Sequence, residues 1–93
     1  MYEKFGQFID GKWQASSNKE TYEVINPANE EVIGRASKAT PEDVDRALKS
    51  AEKGLEVWKK TSPWKRSSVI RKIADLIRAK QDVLAKWITL EVG

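Results

Sequence analysis

The sequence predicts an α+β arrangement: two β-hairpins over about residues 5–38, then two or three α-helices over about 41–60 and 63–92. Three observations carry that expectation. Asp-Gly and Asn-Pro pairs punctuate short apolar alternations in the first forty or so residues, where no helical spacing is present. At Thr40 the apolar period lengthens from two residues to about 3.6. Thr40-Pro41 and Ser62-Pro63 then repeat one helix-start signal.

The first hairpin is read from Phe8-Ile9, Asp10-Gly11 and Lys12-Trp13. Asp-Gly between apolar residues suits a two-residue type I′ turn, which needs positive φ at both central positions. Ala15 to Lys19 is small and polar and reads as a loop. The second strand pair is expected at Tyr22–Asn26 and Glu31–Ser37, with Pro27, Ala28, Asn29 and Glu30 making the turn. Gly34 marks a strand bulge or a point of close approach.

Thr40 is placed to cap the first helix, Pro41 suits its first position, and Glu42 and Asp43 favour the positive end of the macrodipole. Val44, Ala47, Leu48, Ala51, Leu55 and Trp58 recur at helical steps on one face, opposite the mixed charges Asp45, Arg46, Lys49, Glu52, Lys53 and Glu56. After Ser62-Pro63 a second stripe runs through Val69, Ile70, Ile73, Ile77, Leu84 and Ile88 towards Gly93, which suits a helix C-cap. Gln81 and Asp82 leave a hole in it, so a bend or break is expected there. One helix from Pro63 to Glu91 would be roughly 44 Å long at about 1.5 Å per residue. That exceeds a compact body of this size, so the element is expected to lean on something larger.

With 93 residues, the chain holds one unit at most. Seventeen Lys and Arg against fourteen Asp and Glu give a net charge of +3. Cysteine and histidine are both absent, which removes cysteine nucleophiles, Ser-His pairs and thiolate or imidazole zinc sites from these residues. No apolar run reaches the length of a membrane span, and Met1 to Asp10 has no signal-peptide core, so a cytoplasmic setting without a membrane partner is expected. Lys65, Arg66, Arg71, Lys72, Arg78, Lys80 and Lys86 straddle the polar side of an amphipathic helix. A solvated face accounts for them better than a nucleic-acid surface, given the small net charge. Trp13, Trp58, Trp64 and Trp87 are assigned to core or interface packing. Carboxylates are plentiful but no pair stands out from solvated helix faces, and the five glycines show no phosphate-cradling spacing.

Two linked stretches, Phe8-Ile9-Asp10-Gly11-Lys12-Trp13 and Val24-Ile25-Asn26-Pro27-Ala28-Asn29-Glu30-Glu31-Val32-Ile33-Gly34, closely resemble the opening of the NAD(P)-dependent aldehyde dehydrogenase superfamily. The resemblance continues through Ala39-Thr40-Pro41-Glu42-Asp43-Val44-Asp45-Arg46-Ala47, Trp58, Arg66 and the helix to Thr89-Leu90-Glu91-Val92-Gly93, where that family commonly goes on with Lys-Pro. It implies an enzyme in which a cysteine attacks an aldehyde, hydride passes to NAD or NADP, and water hydrolyses the thioester. This chain lacks that cysteine, the cofactor cradle and the family's base glutamate motif. It is therefore expected to be the N-terminal portion of such an enzyme, an α+β fragment of the parent's α/β fold, with no catalytic or cofactor-binding residue of its own.

The resemblance further implies that the remainder of the same enzyme covers the helix stripes, and that the parent is a homo-oligomer, a dimer or tetramer. It implies a structural K+ or Na+ held by backbone oxygens at Val24 and Ile25 and by the Glu91 carboxylate, where the family often carries Asp. Oxygen donors of that kind suit a hard monovalent cation. The Thr89–Gly93 stretch looks most like the branch acting on semialdehydes. The readings kept beside this one are a non-catalytic interaction module working through the exposed helix stripes, and a small basic nucleic-acid-binding protein.

Overall fold

A computed structural model describes Tyr2 and residues 4–93. Met1 and Glu3, part of the stretch read above for a leader, lie outside the described residues. Four strands precede three helices: β1 (Gln7–Ile9), β2 (Lys12–Gln14), β3 (Thr21–Ile25), β4 (Val32–Ser37), α1 (Pro41–Lys59), α2 (Pro63–Ala79) and α3 (Gln81–Val92). The strands form two separate antiparallel pairs, β1 with β2 and β3 with β4.

Each turn has an identifiable cause. Asp10 and Gly11 take φ of 54° and 75°, the paired positive values of a type I′ turn, and Phe8 faces Trp13 across it. Between β3 and β4, the Asn26 carbonyl accepts from Glu30 N at 2.8 Å, and the Asn26 side chain accepts from Ala28 N at 2.9 Å. Glu30 reverses the chain at φ 61°. Val24 pairs with Gly34 and Ile25 with Val32, so Ile33 is the extra residue of a bulge. Gly34 is also a close-approach point, because a Cβ there would run into the Tyr2 ring.

Thr40 caps α1 as expected from its position: its Oγ1 accepts from Asp43 N at 3.2 Å. Ser62 caps α2, accepting from Lys65 N at 3.2 Å. The helical stretch expected over 63–92 divides at Lys80, whose φ of −112° and ψ of 18° lie outside the helix. That residue directly precedes the gap in the apolar stripe at Gln81 and Asp82, and Asp82 then sits in the first turn of α3.

One expectation about the carboxylates is corrected. Asp43 is not on a solvated face; its side chain is fully buried, at 1% exposure. It completes a capping box by accepting from Thr40 N at 2.9 Å, then accepts from Gln7 Nε2 at 3.1 Å and from Ser17 N at 3.2 Å. Arg46 pairs with it one turn along and also reaches Gln14 Oε1 at 3.0 Å. One carboxylate thus ties β1, the Ala15–Lys19 loop and the start of α1 together. The Thr40 amide above all, with Gln7, Arg46 and the Ser17 amide, holds this carboxyl far below the usual carboxylate range, against the opposing effect of burial.

The core is small. Ile9, 9% exposed, is the one large apolar side chain buried among the described residues, while Leu48, Leu55, Ile70, Ile73 and Ile77 are each more than half exposed. The tryptophans are accordingly not core residues here. Trp13 stacks with Phe5 and Phe8 at 5.0 and 5.1 Å, and Phe5 meets Trp87 at 6.2 Å, while Trp64 is 84% exposed. The radius of gyration is 16.5 Å, against about 12 Å for a compact chain of this length. Accessible surface is 7744 Å², about 2,200 Å² above the roughly 5,500 Å² of a folded monomer of this mass.

Substitutions at three positions have expected outcomes in unfolding experiments followed by far-ultraviolet circular dichroism. Thr40→Ala removes the cap and lowers stability by about 1 kcal/mol. Because the folded-state pKa of Asp43 is depressed, its contribution is complete above the ordinary aspartate value of about 3.9 and is lost progressively as pH falls below it. Asp43→Asn should be less stable at neutral pH and show a flatter acid limb than the parent; an unchanged acid limb would remove Asp43 from this role. Gly11→Val is expected to cost about 1–2 kcal/mol through its positive φ, whereas Gly11→Asn should cost less.

Candidate functional site

Two regions are chemically distinct from the solvated surface. The first is where the end of α3 meets the β3–β4 turn. Gly93 caps α3 at φ 87°, its N–H bonded to Thr89 O at 2.9 Å. A Cβ on Gly93 would sit 3.1 Å from Ala28 N and 3.4 Å from Pro27 Cβ, so the helix end is packed directly on the Pro27–Ala28 backbone. Glu91 is two residues before that contact along α3, and Val24 and Ile25 close β3 just before Asn26-Pro27. Local chemistry drives the approach: the Asn26 turn presents a compact backbone, and glycine lets the helix terminate against it.

Of the three residues expected at a cation site, Val24 is half-buried, while Ile25 and Glu91 are exposed. No group of three or more Asp, Glu, His or Cys side chains forms a metal cluster among the described residues. The residues expected there offer backbone oxygens and one carboxylate, a donor chemistry that suits an alkali cation and not a transition metal.

The second region is the open face of α1 and α2. Val44, Leu48 and Leu55 on α1, and Val69, Ile70, Ile73 and Ile77 on α2, are between 38% and 59% exposed. Each helix is held in shape by its own cap and by i,i+3 pairs, Lys59 with Glu56 at 2.7 Å and Arg78 with Asp75 at 3.1 Å. Such pairs support a helix weakly and do not hide its apolar stripe. Surplus area of about 2,200 Å² is in the range of an obligate interface.

Between these helices, Trp58, Pro63, Arg66, Ser67, Ile70 and Arg71 line a groove of about 470 Å³. The apolar stripe was readable from spacing; the groove was not, because it forms only where the Lys60–Ser62 connection brings Trp58 to the first turns of α2. No helix among the described residues is long and apolar enough to cross a membrane. The chain contains no cysteine or histidine, so its own residues offer no thiol or imidazole chemistry.

The model of the aldehyde dehydrogenase family matches residues 13–93. Betaine aldehyde dehydrogenase from Staphylococcus aureus, solved in complex with NAD+, superposes with a TM-score of 0.86 at 40% identity, covering 91% of this chain and 17% of that one. A 3,6-anhydro-L-galactose dehydrogenase in complex with NADP superposes with a TM-score of 0.90 at 34% identity, covering 96% of this chain and 19% of that one. The chain thus spans about a fifth of the length of the solved relatives it matches. On the match over residues 13–93, this chain belongs to the aldehyde dehydrogenase family.

Proposed function

We propose that the chain is the N-terminal, non-catalytic segment of an NAD(P)-dependent aldehyde dehydrogenase, and that its task is to pack against the remainder of that enzyme through α1 and α2. The observation that supports this most is the open apolar face of those helices, exposed in a chain whose relatives are about five times longer. Burial of such a face is the main source of helix stability in proteins, since isolated helices of this length are marginal in water. The parent enzyme would oxidise an aldehyde to a carboxylic acid with NAD or NADP. The resemblance of Thr89–Gly93 favours a semialdehyde, and a cytoplasmic homo-oligomer, dimer or tetramer, is the form proposed for the whole enzyme.

A second role, ion binding, is favoured by one contact. Gly93 on Pro27–Ala28 brings the α3 end, with Glu91, to the corner that follows Val24 and Ile25. A K+ or Na+ ion there would fasten α3 to the β3–β4 hairpin through backbone oxygens and one carboxylate. Binding to the folded form alone would stabilise it by about 2.7 kcal/mol at a cation concentration about a hundredfold above the dissociation constant.

The purified chain should form no NAD(P)H from any aldehyde, followed by nicotinamide absorbance, while the full-length enzyme that carries it should turn over, with a higher kcat/KM for succinate semialdehyde than for betaine aldehyde. Cofactor-dependent turnover by the chain alone would overturn the non-catalytic reading. For the ion, K+ or Na+ should raise the thermal midpoint of the full-length enzyme beyond what an equal ionic strength of a bulky organic cation achieves. Glu91→Gln should abolish that increment while leaving the midpoint in the organic salt nearly unchanged.

A further inference from the structure

The groove between α1 and α2 carries an unresolved electrostatic demand. Its apolar walls are Trp58, Pro63 and Ile70, and its charged members are Arg66 and Arg71; no acidic residue lines it. The nearest acids along the two helices are committed locally, Glu56 to Lys59 and Asp75 to Arg78. Arg66 Nε is shielded from solvent and has no hydrogen-bond partner among the described residues. A guanidinium is a donor-only group with five N–H and no acceptor, so it cannot satisfy this N–H itself. An N–H taken out of water is ordinarily paired, and one left unpaired in a native structure calls for a physical reason.

We propose that this groove receives a carboxylate, carried between apolar side chains on a segment of the larger enzyme body, and that the carboxylate pairs with Arg66. The inference rests on the docking role proposed above and adds the chemistry of what docks. A neutral acceptor would satisfy Nε but leave two guanidinium charges against Trp58, Pro63 and Ile70. A carboxylate satisfies the donor, matches the planar fork of Arg66 and offsets the charge shared with Arg71. Once the groove closes, the pair is removed from water, and each partner depends on the other.

The test uses the full-length enzyme carrying this chain. Covalent labelling of Trp58, read by mass spectrometry, reports whether the groove is covered. Thermal midpoints of the parent, Arg66→Met and Arg66→Lys at mildly alkaline and mildly acidic pH report the pair. The expected result is a protected Trp58, a midpoint several degrees lower for Arg66→Met at alkaline pH, and a smaller deficit in acid, with Arg66→Lys intermediate. The sign follows from the abandoned carboxylate: buried and unpaired, its pKa rises in the folded state, so the fold takes up a proton and recovers stability as pH falls. If Arg66→Met does not accumulate as folded protein, Arg66→Gln carries the same test. A protected Trp58 with a deficit that is absent, or equal at both pH values, overturns the carboxylate and leaves the docking role standing. Trp58 labelled as fast in the enzyme as in the chain alone overturns the docking role and this proposal with it.

Discussion

Apolar surface has to leave water, and the three helices of this chain carry more of it than their own neighbours cover. Ile9 alone makes a buried apolar centre among the described residues, while the stripes on α1 and α2 stand half open. A layered fold ordinarily closes such a stripe against a sheet or another helix. Here both sheets are two-stranded, too small to serve as that second layer, and among the described residues β1 is the one strand with more than slight contact to a helix, α1. The extended dimensions, 47 × 34 × 17 Å, follow from that imbalance. The proposed docking role rests on it too, since apolar surface left open is surface that another body can bury.

Within the chain, the buried Asp43 carboxylate sets how that surface is presented. It fixes the first turn of α1 to Gln7 of β1 and to the Ser17 amide, so the rotation of α1 about its axis is determined at one end. The stripe of α1 begins at Val44, the very next residue. At the other end, the Ser62 cap and Pro63 start α2 immediately after α1, which puts Trp58 and Ile70 on one groove. Polar contacts therefore orient the faces, and apolar area supplies the driving force for their use.

What was legible in the sequence was local. The Asp10-Gly11 turn, the caps at Thr40 and Ser62, and the interruption near Gln81 each depend on a few adjacent residues, so propensity and spacing suffice to place them. The burial of Asp43 depends on Gln7 and Ser17, 36 and 26 residues away. Thr40-Pro41-Glu42-Asp43 has capping-box spacing, but nothing in it foretells the contacts with Gln7 and Ser17 that bury the carboxylate. For the tryptophans the exposure seen here leaves interface packing as the open half of the expectation, because apolar patterning states that a side chain should be buried, not whether this chain supplies the cover. The cation corner came from family resemblance; the packing of Gly93 on Pro27–Ala28 supplies a geometric reason to consider it. The orphaned Nε of Arg66 emerged only after α1 and α2 were folded together, because it is a property of the groove and not of any motif.

The central claim is that α1 and α2 are completed by a larger body. Amide hydrogen exchange along these two helices, compared between the chain alone and the full-length enzyme, tests it most directly. The account predicts rapid exchange over the Val44–Trp58 and Val69–Ile77 stretches in the chain alone and strong protection of both in the enzyme. Equal protection in the two samples would show that the helices need no further cover, and would contradict the account.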